Sequence, residues 1–189
     1  MTMQSERWAG QWGADYTSRN PATAVEMNTL YLDQFGVTRT ALNEYALALV
    51  PRTARILEIG CNVGAQLDVL YKQGFYNLSG IDVQDIDDPG WFTFAQGNAA
   101  LLPYNNRQFD LVMTSGLLIH IPLPLLPTVI AEIVRVSKRW VYCFEYFHAG
   151  KQPIEIPYRG ESNLLWKANY CRWFMEHDLF DIKYYLRVP

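Results

Sequence analysis

The chain has 189 residues, half of them hydrophobic, and a formal net charge of −3. That length is enough for one domain with a sizeable buried core. Charges of both signs are spread along it and no Lys/Arg block stands out, which excludes a broad nucleic-acid footprint, since that needs concentrated positive charge to displace counterions.

Residues 1–20 are polar with aromatic punctuation at Trp8, Trp12 and Tyr16. Two helices are expected next, over 21–35 and 38–50. Asn20 stands as a cap before Pro21, Gly36 as the break and Thr38 as the second cap. From residue 54 the pattern changes. "RILEI" is a short apolar run, "GCNVG" a glycine-bearing turn, and "AQLDVLYKQG" a helix ended by Gly74. "NLSGIDV" reads as a second strand, "WFTFAQGN" as a third, "QFDLVMTSG" as a fourth and "RWVYCFEYF" as a fifth. Between the last two, Val129, Ile130, Ile133, Val134 and Val136 mark one face of a helix over 126–137. A helix over 163–177 and a sixth strand, "FDIKYYLRV", close the chain.

Strands alternating with helices mean an α/β fold: a Rossmann-like, mostly parallel sheet with helices on both faces. The expected organisation is one domain over 1–189, with a helical cap over 1–50 and the core over 51–189. One connection is odd. Only "VQDIDDPG" separates Asp82 from Trp91, where a parallel crossover needs about a dozen residues or more. Either the crossover helix is reduced to a turn or the third strand lies elsewhere.

In an open parallel sheet, ligands sit at the carboxyl ends of the strands. Those ends carry Glu58, Gly60, Cys61, Asn62 and Gly64; then Asp82 and Val83; then Gly97, Asn98 and Ala99; then Ser115, Gly116 and His120; then Glu145. The set suits an adenosyl cofactor. A carboxylate after the second strand can accept both ribose hydroxyls. Gly60 lets backbone approach a ligand, and N–H groups at a helix start can meet a carboxylate. Asn98 can meet the exocyclic amine of adenine. A dinucleotide loop would place glycine at 62 and 65, where Asn62 and Ala65 stand.

The segments "LEIGCNVG", "GIDV" and "QGNAALLPYNNRQFDLVMTSG" resemble the successive motifs of class I S-adenosylmethionine (SAM)-dependent methyltransferases. "WAGQWGADYTSRN", "SGLLIHI", "EIVRVSKRW" and "EYFHAGKQPIEIPYRG" resemble the methylases associated with pseudaminic acid biosynthesis, in which the first loop also has Asn between its glycines. The resemblance implies SAM as cofactor and S-adenosylhomocysteine as product. It implies methyl transfer to a small acceptor, a carbohydrate or sugar acid. The chain departs from the group in the short segment after Asp82. It also ends at Pro189 where the family adds a seventh, antiparallel strand, so either the fold lacks that strand or the chain closes its sheet edge by another means.

Within this reading, His120 is the candidate general base; the alternative is a packed histidine satisfied by a backbone carbonyl. Glu145 would bind or deprotonate the substrate, or else pair with a lysine. Tyr158 and Arg159 in "EIPYRG" would bind an anionic or hydroxyl-rich acceptor; an ordinary turn is the alternative. Tyr16 and Arg19, one helical turn apart, would close over SAM, with Arg19 on the methionine carboxylate. Trp8, Trp12, Trp166 and Trp173 read as core or lid packing, and His148 and His177 as surface residues.

Cys61, Cys143 and Cys171 form no CxxC or Cys/His cluster. They read as reduced thiols of a cytoplasmic protein, without a metal site. The start has no apolar signal segment, and the most apolar stretch, 117–134, is interrupted by His120, prolines and Glu132, so no membrane span is expected. Two other classes stay open: SAM cleavage without methyl transfer, and a non-catalytic SAM-binding partner. A DNA amino-methyltransferase is disfavoured, because "TSGLLIHI" stands where its Asp/Asn-Pro-Pro-Tyr motif would be.

Overall fold

The computed structural model describes residues 3–20, 22–87 and 89–175. The expectations for Pro21, His177, the sixth strand over 180–188 and Pro189 lie outside them.

Two short helices, α1 (Met3–Ala9) and α2 (Gln11–Thr17), precede α3 (Ala24–Phe35) and α4 (Arg39–Ala46). Thr23 caps α3 in a reciprocal capping box with Glu26, displacing Asn20 from the capping role expected of it. Gly36 ends α3 in the left-handed conformation, and the Thr38 side chain accepts the Ala41 N–H at the start of α4.

The sheet is built from β1 (Ile56–Ile59), β2 (Leu78–Asp82), β3 (Thr93–Gln96), β4 (Phe109–Ser115) and β5 (Ser137–Phe144). Its order is β3-β2-β1-β4-β5, and every pairing is parallel. The central strand β1 is buried along its whole length, as a parallel strand covered on both faces must be. Side chains alternate faces along it. Leu57 and Ile59 join Val112 and the apolar face of α6 (Leu126–Val136). Ile56 joins Leu111, Met113 and α5 (Ala65–Lys72) in a second core. Glu58 shares the parity of Ile56 and so points to the α3–α5 side.

The third strand sits where the sequence places it, on the sheet edge beside β2. Its crossover from Asp82 contains no helix among the described residues. The tail differs from expectation. Leu164, Leu165, Trp166 and Ala168 are all buried, a run that one helix face cannot supply. Residues Trp166–Lys167 (β7) instead pair antiparallel with Ile154–Glu155 (β6), and the helix α7 starts only at Cys171 (Cys171–Met175).

The loop from β3 to β4 is held from α6. Glu132 accepts the Leu102 N–H at 2.7 Å. Arg135 pairs with Glu132 and donates to the carbonyls of Leu102 and Tyr104. Charge-assisted bonds of this kind contribute about 1.5–3 kcal/mol each. Arg135→Ala should therefore lower unfolding stability by about 2 kcal/mol and speed amide exchange over 97–106. A denaturant midpoint unchanged from wild type would show that the clamp does not hold the loop.

Candidate active site

A cavity of about 440 Å³ opens across the carboxyl ends of β1, β2 and β4, roofed by the two amino-terminal helices and α3. Of the residues picked from the sequence, those from the ends of β1 to β4 line it, except Gly64. Tyr16, Arg19, His120 and Tyr158 line it too.

The loop after β1 is shaped by positive backbone angles at Gly60 (φ 75°), Asn62 (φ 49°) and Gly64 (φ 81°). Asn is the residue after glycine that best tolerates this conformation, and here its Oδ1 also accepts the following Val63 N–H at 2.7 Å. The other loop N–H groups are engaged as well. Those of Gly60 and Cys61 donate to the Ile81 carbonyl, and that of Gly64 donates to the Cys61 carbonyl. The Asn62 N–H donates to Asp82 at 2.8 Å. The N–H groups of Gly60, Cys61 and Asn62 bind the loop to the end of β2. Gly60 is also needed for a reason other than ligand approach, because a Cβ there would meet Leu117 Cδ1 at 2.9 Å. Gly64 caps α5, where a Cβ would meet Phe92 at 2.7 Å.

Asp82 accepts from Asn62 through one oxygen and from the Gln84 N–H, at 2.9 Å, through the other. Burial raises its pKa while these backbone donors pull it back. A carboxylate offers about four acceptor positions, so capacity remains toward the cavity. The Gln84 side chain donates onward to the Trp8 and Gly10 carbonyls, joining the amino-terminal helices to the end of β2. Asn98 closes a turn onto the Ala100 N–H at 2.9 Å and still lines the cavity beside Gly97 and Ala99.

His120 is buried, and its Nδ1 lies 2.6 Å from the Leu164 carbonyl oxygen. A carbonyl only accepts, so Nδ1 carries the proton. Burial pushes the imidazole down to about 4, against the pull of that carbonyl. Its ring packs 4.5 Å from Trp8 and 5.4 Å from Tyr158. Burial pushes the Tyr16 phenol up to about 12, so it remains a donor.

Glu145 does not line the cavity. It accepts from the Thr114 hydroxyl at 2.8 Å and from the N–H groups of Leu117 and Ile119, tying down the turn after β4. Burial pushes its carboxyl up to about 7, and these donors oppose the shift. Arg159 is exposed, stacks over Tyr158 and stays out of the cavity. His148 also lies away from it.

Four residues that line this cavity carry a buried polar atom without a hydrogen-bond partner among the described residues: Trp8 Nε1, Thr17 Oγ1, Glu58 Oε2 and Gln66 Oε1. Trp8, Thr17 and Gln66 are absent from the sequence-derived site. So is Arg39, fully buried behind Tyr31 and Ser115, to which it donates at 2.9 and 3.4 Å. No linear pattern marks them. Tyr31 and Arg39 lie on different helices, and they meet Ser115 and Gln66 only in the folded chain. Among the described residues no cluster of His, Cys, Asp or Glu could hold a metal ion, and no helix is long and apolar enough to cross a membrane.

Residues 57–144 match a family model described as "Methyltransferase domain". No curated protein matches the chain. Among solved structures, a Burkholderia thailandensis 1,6-didemethyltoxoflavin-N1-methyltransferase, with bound 1,6-didemethyltoxoflavin and S-adenosylhomocysteine, superposes with a TM-score of 0.65 at 16% identity, covering 99% of this chain and 80% of that one. A SAM-dependent methyltransferase from Methanosarcina mazei superposes at 0.55, with 18% identity over 69% of this chain and 80% of its own. A Pyrococcus horikoshii protein does so at 0.51, with 19% identity over 68% of this chain and 65% of its own. These likenesses establish the fold, and the family match falls on the segment from β1 to β5 that builds the cavity's floor. The chain has the α/β fold of class I methyltransferases, and its segment 57–144 matches the methyltransferase-domain model.

Proposed function

We propose that the protein transfers the methyl group of SAM to a small, hydroxyl-bearing acceptor. The observation that carries this is one cavity at the strand ends lined by Asp82 together with four residues whose buried polar atoms lack partners among the described residues. Leaving such atoms unsatisfied costs about 1–3 kcal/mol each, so they point to a polar ligand. In this reading Asp82 holds the ribose hydroxyls, Asn98 and Val83 meet the adenine, and Glu58 and Arg19 meet the amino-acid end. When bound, SAM supplies a methyl group already activated by its positive sulfur.

The chain's remaining task is to place the acceptor and receive its proton. His120, fixed by Leu164, stands ready as a neutral imidazole. With its basicity lowered by burial, it takes the proton as the oxygen–methyl bond forms, when the oxygen has become strongly acidic, rather than beforehand. Glu145 supports the turn that positions His120 and takes no part in the chemistry.

The finer reading, a carbohydrate acceptor, rests on the resemblance of the amino-terminal and "EIPYRG" motifs to the pseudaminic-acid group. The rings of Trp8, Tyr16 and Tyr158 support it, since aromatic faces pack well against sugar rings. Among the described lining residues Arg19 is the one guanidinium. If it serves the cofactor's carboxylate, a neutral carbohydrate fits better than a sugar acid. Residues 1–50 act as a cap on the core that follows. Three unpaired thiols accord with a cytoplasmic setting.

Asp82→Ala should weaken S-adenosylhomocysteine binding in calorimetry by roughly tenfold to a hundredfold, the equivalent of about 1.5–3 kcal/mol. Unchanged affinity would remove Asp82 from the site. Product analysis should find S-adenosylhomocysteine; methylthioadenosine or homoserine lactone would mean SAM cleavage instead. Because His120 titrates near 4, its neutral form dominates from about pH 5 upward, and kcat should have no His120 inflection between about pH 5.5 and 8. An inflection near 6.5 that vanishes in His120→Gln would contradict the assignment.

A further inference from the structure

We propose that Gln84 is a positioning residue for the acceptor half of the cavity: it latches the amino-terminal helices, which bring Trp8 and Tyr16 onto His120, to the end of β2 where Asp82 holds the cofactor. The acceptor half is thereby assembled once the cofactor is in place. The inference rests on the SAM reading above and deepens it by setting an order, cofactor before acceptor.

Gln84 follows Asp82 closely in the chain and is bonded in two directions. Its backbone N–H donates to Asp82 Oδ1 at 2.9 Å. Its side-chain Nε2 donates to the Trp8 carbonyl, and to the Gly10 carbonyl at 3.2 Å. Trp8 lies in the last turn of α1 and Gly10 caps α2. The last carbonyls of a helix have no partner within it, so one amide with two N–H groups holds the corner between the helices. Gly13, buried in α2, lets the parts come this close. A Cβ there would collide with the Trp8 carbonyl and come within 2.6 Å of Gln84 Nε2. The segment after β2 contains no helix among the described residues. Its course is set by bonds such as these and by the one from Gln96 to the Val83 carbonyl at 3.1 Å.

What the latch positions is the roof over His120. Trp8 and Tyr16, at 4.5 and 6.3 Å from the imidazole, come from the latched helices; Tyr158, at 5.4 Å, comes from the turn at 158–161. Trp8 and Tyr16 also pack edge to face at 5.1 Å, so they move as one body. Detaching the corner would take both rings off His120 and let water reach it. A second polar link between α1 and the rest of the chain, Arg7 to Glu161 at 2.7 Å, is exposed on both sides. Exposed ion pairs contribute little, which leaves the Gln84 amide as the stronger polar hold.

The direction of the coupling follows from linkage. Asp82 is fixed by the N–H groups of Asn62 and Gln84 together. A ligand that needs Asp82 in that position binds the latched form better, and the latched form is favoured in return when the ligand is bound. Trp8, Tyr16 and His120 all line the cavity, so an acceptor entering after the cofactor finds these walls already in place.

The test compares the wild type with Gln84→Met, which keeps the length of the side chain and removes its donor, and with Gly13→Ala, which wedges the latch from the other side. The His120 ring is followed by NMR and assigned with His120→Gln. In the wild type it should show no titration step between about pH 5.5 and 8, since burial holds it near 4. In either variant it should titrate near its ordinary value of about 6.5. S-adenosylhomocysteine at saturation should slow amide exchange over residues 3–17 about fivefold in the wild type, and leave it unchanged in the variants. Arg7→Ala should match the wild type in both measurements. The two latch variants disturb different segments, so if one fails to fold the other decides. A folded latch variant whose His120 shows no titration step, or whose helices keep the wild-type protection, would overturn the proposal; so would an Arg7→Ala protein with effects equal to theirs. Failure of the wild type to bind S-adenosylhomocysteine would instead overturn the cofactor reading, while the His120 titration, which needs no ligand, would still decide whether Gln84 holds the roof.

Discussion

The site depends on one carboxylate. Asp82, at the end of β2, accepts the Asn62 N–H from the loop after β1 and the Gln84 N–H from the segment after itself. The Gln84 side chain continues the connection to the carbonyls of Trp8 and Gly10. The loop after β1, the second strand end and the amino-terminal helices are thereby held in one hydrogen-bonded unit. The crossover after Asp82, which contains no helix among the described residues, belongs to the same arrangement, and its Gln84 reaches the amino-terminal helices.

Behind the cavity the protein concentrates polar groups in a place where they are costly. Arg39, Gln66, Tyr31 and Ser115 contact one another between α3, α4, α5 and the end of β4, and Glu58 lies near them. Their hydrogen-bonding capacity is only partly used within the chain. Such networks are destabilising when half satisfied, and this one lies at the strand ends, where the proposed cofactor site is. In the rest of the core the burial is conventional: the apolar face of α6 covers one side of the sheet, and α5 with Phe75 covers the other.

How much was legible in the sequence follows from what each signal encodes. Short apolar runs ending in glycine or acid placed β1 to β5, and spacing alone placed the buried face of α6. Gly36 and Thr38 marked helix limits through backbone geometry and capping that single residues carry. The segment from Leu164 to Ala168 was misread as helix, because an apolar run serves either element and only the β6 pairing decides between them. Glu145 followed a strand end as a catalytic acid would, but a strand end does not say which way the side chain turns; here it turns to the Thr114 hydroxyl and the turn's N–H groups. Arg159 was displayed on a loop, as expected, though outside the cavity. The burial of Arg39 is not legible at all, because in "TRTALNEYA" it looks, like Glu44, to be a charge on the solvated face of a helix. Its burial is a product of how α4 seats against α3 and α5, which brings the side chain under the rings of Tyr142 and Phe144.

The central claim is that this cavity holds an adenosyl cofactor through Asp82 and orients it toward His120. A crystal structure of the protein with S-adenosylhomocysteine tests it most directly. The account requires the ribose hydroxyls within hydrogen-bonding distance of Asp82, the adenine beside Asn98, the amino-acid end near Glu58, and the sulfur facing the space before His120. A ligand bound elsewhere, or one in this cavity with its ribose turned away from Asp82, would contradict it.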